Sequence, residues 1–287
     1  MQLSITLPPS TNPITIRDLL ETQWLIPRKV RHFLRTRKNV LKNGKPIMFH
    51  EIAKANDTIT LIFEESDYST PDILLGQQDN VNVLWEDEHI IIVNKPYGKK
   101  THPNQPQEND TLLNDLAAYL TQKNQLPYVV HRLDKETSGA ILFAKNPIIL
   151  PILGRLLEQK EIYRYYEAEV NGLMNKKQFT INKPIGRHRH DRRKRVIDMK
   201  KGDKAITHVT VKKQLKQTTL VECKLDTGRT HQIRVHLESI QHPIVGDPLY
   251  NPASTSPRLQ LHAKSLTLTH PFTNEKIHVE ATPFLFD

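Results

Sequence analysis

The chain is poor in several things, and each shortage narrows what it can be. Its 287 residues hold one cysteine, Cys223. One thiol cannot make an intramolecular disulfide or a cysteine-rich zinc site. Cys223 lies in LVECKL, an alternating apolar run, which suits a small core residue in a reducing, cytoplasmic compartment. No run of about 18 apolar residues occurs, so no membrane span is expected. The start, MQLSITLPPSTNPITIRD, lacks a basic flank followed by an apolar stretch, so no signal peptide is expected. A glycine-rich phosphate loop and a PCxxC zinc-deaminase motif are both missing, which argues against nucleotide triphosphates and zinc. The 14 histidines are scattered, and His231 and His236, five apart, suit one helical face poorly. Neither a metal site nor ATP or GTP use is therefore expected. Acids are also in deficit: 31 Asp and Glu against 41 Lys and Arg leave a net charge of +10. That balance favours a polyanionic partner, nucleic acid before an anionic membrane.

Along the chain the clearest boundary is EESDYSTPDILLGQQDN, residues 64–80, polar and acidic with Pro71 and Gly76. It divides a module at residues 1–66 from a larger unit at 81–287, with 67–80 as linker. In the module, a helical pattern begins at Ile16, and a second helix runs from about Pro27 to Thr36. VLKNGKPIMF and DTITLIF read as strands, with Asn43-Gly44 as a tight turn. Between Arg28 and Lys45 stand eight Lys or Arg and no acid. A charge run is usually a solvated face, but this density of one sign is the footprint of phosphate binding. Arg31, Arg35, Lys38 and Lys42 are its candidate RNA contacts. The order of elements over residues 13–63 resembles the S4-type RNA-binding domain.

In the larger unit, Thr111 caps a helix with Leu112, Leu116 and Leu120 on one face, and Pro147 opens another towards Lys160. YVVH, GAILFAK, YRYYEAEVNG, AITHVTVKKQL, TTLVECKLD, LQLHAKSLTLTHP and KIHVEA read as strands. The fold class is α+β, with a large, mainly antiparallel sheet.

Asp134 lies in HRLDKETSG, between two very apolar strands. Most loop aspartates are solvated turn residues. A carboxylate at a sheet edge beside Arg132, however, can serve as nucleophile or base. HRLDKETSGAILFAK closely resembles the catalytic motif of the RluA-type pseudouridine synthases. NKPYGKKTHP at 94–103 is similar to that family's NKP motif. YRYYEAEVNG at 163–172 resembles its K-x-Y-x-A-x-V-x-G motif, with Arg164 where the family usually has lysine. LDTGRTHQIRVHL followed by HPIVGDPLYN resembles its C-terminal signature.

The resemblance implies the pseudouridine synthase fold, with a central mixed sheet and RNA across a basic cleft. It implies isomerisation of uridine in RNA without a cofactor. Asp134 becomes the catalytic carboxylate, Arg234 its cation and Tyr166 the residue stacked near the base. Arg132 fills the gap left by the flipped base, while His131 braces the loop or contacts RNA. Without the resemblance, Arg234 reads as a surface arginine and Tyr166 as a core aromatic. Period two already sets Tyr166 on the opposite face from Tyr163 and Tyr165. Residues 185–204, with nine Lys or Arg, form a flexible basic loop in this reading. Arg187, Arg192 and Arg193 in it, and Arg229 in the GRTHQ turn, are the remaining RNA contacts. Alternation of Ile233, Val235 and Leu237 suggests a strand there, whereas the resemblance implies a helix, and a helix is expected.

The leading expectation is an enzyme acting on structured RNA, large-subunit ribosomal RNA first and tRNA second, as a monomer. A non-catalytic RNA-binding or ribosome-assembly protein is the alternative. Retention of Arg132, Asp134, Tyr166 and Arg234 together favours the enzyme.

Overall fold

The computed structural model describes residues 1–282. At the N-terminus, strands Gln2–Thr6, Thr58–Ile62, Val40–Lys42 and Lys45–Pro46 form an antiparallel sheet. The first strand precedes the span expected from residue 13 onward. It alternates, with Leu3 and Ile5 buried. Asn43 and Gly44 both have positive φ, 50° and 79°, as a two-residue hairpin turn between right-twisted strands demands. The basic helix is Arg28–Thr36. Ile16–Asp18 starts helically and widens into a π-turn at Leu19–Gln23.

This module is not a free appendage. Trp24 and Ile26 join Ile149, Ile152 and Phe272 in one hydrophobic cluster. The Trp24 ring meets Phe272 edge-on at 5.3 Å, and Arg155 donates to the Leu25 carbonyl at 3.0 Å. The connecting segment, expected to be a linker, is held at both ends. Arg37 grips Asp67 through two contacts of 2.7 and 2.8 Å. Further on, the Leu74 carbonyl accepts from Asn114, and Gly76 N–H donates to the Asn114 carbonyl. Its polar residues are bonded to neighbours distant in sequence, which local composition cannot reveal.

The large sheet runs in the order Gln178–Asn182, Ile206–Gln214, Thr218–Leu225, Tyr163–Asn171, Leu261–Thr269, Ser138–Ala144, Ile90–Lys95 and Val83–Glu86. Tyr128–Val129 and Lys276–Glu280 add short flanking pairs. Every pairing is antiparallel except Ser138 and Gly139 with His262 and Ala263. The sheet is therefore mixed and mainly antiparallel. Two adjacent strands, Ile90–Lys95 and Ser138–Ala144, are buried at every residue. Successive side chains point to opposite faces, so Ile90, Ile92 and Leu142 join one apolar cluster while Ile91, Val93, Ile141 and Phe143 join the other. Burial on both faces explains why these segments read as continuous apolar runs. Helix Leu112–Thr121 packs within the second cluster and helix Ile149–Glu158 within the first.

One conflict is decided and one local expectation is corrected. Gln232–Glu238 is a helix, as the resemblance implied and against the apolar alternation. Residues 232–237 are all buried, so their apolar alternation carries no information about period. The basic loop at 185–204 contains a hairpin, Ile185–Arg187 paired with Arg195–Ile197.

Gly139 fixes how the catalytic-motif loop enters the sheet. Its φ is +115°, and a Cβ there would lie 2.3 Å from the Ala263 carbonyl oxygen. Backbone on both sides of that contact leaves no room to yield. Gly139→Ala is expected to destabilise the fold by about 3 kcal/mol or more. Urea unfolding would show this as a lowered midpoint at unchanged slope.

Candidate active site

Asp134 stands on a loop whose backbone is pinned from below by the NKPYGKKTHP segment. Lys95 is fully buried, and its ammonium donates to the carbonyls of Pro96 (2.9 Å), Lys99 (2.6 Å) and Lys135 (3.1 Å). Burial pushes this lysine down to about 7. Thr101 Oγ1 accepts from Leu133 N–H at 3.1 Å and donates to the Leu133 carbonyl at 2.8 Å. The two residues flanking Asp134 are thus held by side chains from another strand and its following loop. Thr137 N–H closes the turn on the Asp134 carbonyl at 3.1 Å.

Arg234 approaches Asp134 from the buried helix Gln232–Glu238. Its Nη1 lies 3.3 Å from Asp134 Oδ2. The same guanidinium forms a two-pronged pair with Asp247, Nε to Oδ2 and Nη2 to Oδ1, both 2.8 Å. Arg234 is 1% exposed and Asp247 is fully buried. Asp247 Oδ1 also accepts from the backbone N–H groups of Leu249 and Tyr250. Burial would lower the Arg234 guanidinium, but the Asp247 hydrogen bonds and charge outweigh it and hold it above the usual range. The Tyr250 ring packs 5.2 Å from the guanidinium. Asp247 therefore aims the cation that faces Asp134. Its sequence motif, HPIVGDPLYN, was visible, but nothing in the motif alone assigns it that task.

Tyr166 is buried on strand Tyr163–Asn171, and burial pushes its hydroxyl upward. The strand's pairing slips here: Tyr165 faces Ser265, while Glu167 faces His262. Such an irregularity re-aims a side chain. The slip lies beside the point where Ser138 and Gly139 join the same neighbouring strand. The catalytic-motif loop and Tyr166 are thereby brought to one place.

One cleft of about 610 Å³ collects Arg132, Asp134, Tyr166 and Arg234, together with His131 and Arg229. His131 Nε2 accepts from Leu142 N–H at 3.2 Å. Burial, then the charge of Arg164, pushes its imidazole down to about 3. It braces the loop as a neutral ring. His231, which caps the helix with φ +58°, puts Nε2 3.8 Å from Asp134 Oδ2. Its Nδ1 meets the Tyr250 hydroxyl at 3.0 Å. That hydroxyl also bonds the N–H and carbonyl of Arg195, so the basic hairpin is tied to the cleft wall. Gln232 holds the turn before the helix, accepting from Thr227 Oγ1 and Arg229 N–H. Thr101, Asp247 and Tyr250 were missed from sequence because each acts on a partner outside its own motif, while His231 and Gln232 were read only as part of a turn. Among the described residues, no three His, Cys, Asp or Glu side chains gather as a metal site.

The other basic candidates lie outside the cleft lining. Arg187 and Arg192 are exposed on the hairpin, and Arg35 and Lys38 on the N-terminal helix and its end. Arg193 pairs with Asp191, Arg31 with Glu21, and Lys42 donates to the Ile52 carbonyl.

Removing Asp247 leaves the Arg234 charge buried beside Asp134 alone. Breaking a buried pair in this way costs about 3–5 kcal/mol. Asp247→Ala is therefore expected to lower the unfolding midpoint sharply, whereas an equivalent change at the exposed pair Arg193–Asp191 should leave it almost unmoved.

Comparison with known proteins agrees with this geometry. Residues 89–239 match the family model described as RNA pseudouridylate synthase, a span that includes Arg132, Asp134, Tyr166 and Arg234. Residues 3–59 match the model of the RluD ribosomal pseudouridine synthase N-terminal domain, which takes in the first strand. An uncharacterized RNA pseudouridine synthase of Bacillus subtilis is 38% identical, over 96% of this chain and 94% of its own length. The ribosomal large subunit pseudouridine synthase D of Xanthomonas campestris is 34% identical over 84% of this chain and 78% of its own. Among solved structures, human RNA pseudouridylate synthase domain containing 1 superposes with a TM-score of 0.59 at 26% identity, covering 76% of this chain and 88% of that one. The chain belongs to the RNA pseudouridylate synthase family and is an isomerase of uridine in RNA.

Proposed function

We propose that this enzyme converts specific uridines of large-subunit ribosomal RNA to pseudouridine, with Asp134 as the reacting carboxylate. The observation that carries the reading is Asp134 Oδ2 set 3.3 Å from a buried, doubly anchored Arg234 in the same cleft as Tyr166. Asp226, another carboxylate in that lining, is already engaged by Lys160 and His208. The large ribosomal RNA is favoured because the N-terminal 3–59 match and the Xanthomonas campestris relative both carry ribosomal names. Such a substrate implies a cytoplasmic site of action. The enzyme works as a monomer in this reading, and no organic cofactor enters the reaction.

The reaction breaks N1–C1′, turns the uracil, and joins C5 to C1′; C5 gives up a proton and N1 takes one up. Asp134 faces the reacting sugar and base, and Arg234 offsets its charge. Tyr166 contacts the base on the sheet side. A paired or stacked uridine must first leave the helix, and Arg132, exposed at the rim, fills the space it vacates. Arg35, Lys38, Arg187, Arg192 and Arg229 take phosphates along the strand. Arg31, Arg193 and Lys42 contribute less, because each already has an intramolecular partner.

Asp134→Asn keeps the shape and removes the charge. It is expected to abolish pseudouridine formation on an in vitro transcript of the large ribosomal RNA while RNA affinity stays within a few-fold of the parent. Near-normal turnover by the Asn variant would remove Asp134 from the chemistry. Exchanging Arg35 and Lys38 for glutamine is expected to flatten the dependence of log affinity on log salt, by about 0.7–0.9 for each phosphate no longer neutralised. Arg31→Gln should change that slope less.

A further inference from the structure

Four cations are buried among the described residues, and three of them are satisfied. Lys95 has three carbonyls, Lys145 has Glu86 and the Asp87 carbonyl, and Arg234 has Asp247 and Asp134. Arg164 is the fourth. It is 9% exposed and lines the active-site cleft. Its Nε has no hydrogen-bond partner, and among the described residues its guanidinium makes no ion pair. The acids of the same lining do not serve it. Asp134 faces Arg234, Asp226 holds Lys160 and His208, and Glu158 is exposed and makes no ion pair with it. An Nε withdrawn from water without a partner is a cost, and the rest of the guanidinium is left to the cleft that Arg164 lines.

A second observation concerns the space around it. An ideal Cβ on Gly228 would fall 2.9 Å from Arg164 Nη1. Gly228 does not have positive φ, so its backbone does not require glycine. The missing side chain instead leaves room for the guanidinium at the mouth of the cleft.

We propose that Arg164 is a phosphate-binding subsite, taking a phosphodiester of the RNA strand next to the nucleotide whose base meets Tyr166. Arg164 and Tyr166 share one face of the strand, two residues apart, which sets their backbones roughly 6.6 Å from each other. That spacing suits a base and a neighbouring phosphate of one strand. A guanidinium offers a planar fork that pairs two phosphate oxygens, where an ammonium offers a point charge. This inference rests on the reading that the cleft takes RNA.

The test uses the full-length protein and the large ribosomal RNA transcript. Kd is measured for the parent, Arg164→Gln, Arg164→Lys, Gly228→Ala and the Gly228→Ala/Arg164→Gln double variant, alongside thermal midpoints without RNA. Arg164→Gln is expected to weaken binding about tenfold or more, with a midpoint equal to or above the parent's. Arg164→Lys should recover part of the affinity. Gly228→Ala displaces only the flexible end of Arg164, so it should weaken binding in the parent and add nothing in the Gln background. A lowered midpoint with unchanged Kd would make Arg164 a structural residue and overturn the proposal, as would additive losses in the double variant. The two readings fail separately. Weakened variants with no pseudouridine made by the parent would keep the subsite and overturn the reaction. Pseudouridine made by the parent, with Kd unchanged in the variants, would do the reverse.

Discussion

A buried ion pair, Arg234 with Asp247, is the constraint around which the site is arranged. Both groups are removed from water, and their burial is tolerable only because the geometry is two-pronged and the remaining lone pairs of Asp247 are used. A hydrophobic pair of equal size could stabilise the fold as well or better. The ionic pair gives direction instead: it leaves one edge of the guanidinium aimed at Asp134. The cation is therefore in place before any substrate arrives, which is how an enzyme avoids reorganising its surroundings during the reaction.

The same logic runs through the neighbouring loop. Asp134 owes its position to Lys95 and Thr101, which clamp the backbone on either side of it, and to Gly139, which lets the loop enter the sheet against Ala263. These are local costs: a buried lysine pushed down to about 7 and a left-handed glycine. The two apolar clusters on either side of the sheet supply the stability that offsets them. Arg164 fits the pattern as a further cost carried inside the cleft. The N-terminal module is joined to this body by Trp24 against Phe272, so its basic helix is carried by a shared core.

Much of this was legible in the sequence because its signal is local. Period-two alternation marks strands such as Tyr163–Asn171 and Thr218–Leu225, continuous apolar runs mark the two fully buried ones, and Asn43-Gly44 marks a turn. The resemblance of HRLDKETSG and its companion motifs placed Asp134, Tyr166 and Arg234, and the structure brings all three to one cleft. What stayed hidden depends on distant contacts. Asp247 reaches Arg234 from beyond the helix, and Thr101 reaches Leu133 across 32 positions. The helix at 232–238 was legible only through the resemblance, because burial of residues 232–237 erases the amphipathic period. The hydrogen bonds that tie residues 67–80 to Asn114 and Asp115 leave no compositional trace.

The central claim is that this cleft makes pseudouridine in large-subunit ribosomal RNA. Mapping pseudouridine across total RNA from cells with and without the gene tests it most directly, with the wild-type gene and its Asp134→Asn form restored in parallel. The expected result is loss of one or more large-subunit positions, recovered by the wild-type gene alone. Unchanged maps in every RNA, or recovery by the Asn form, would contradict the account.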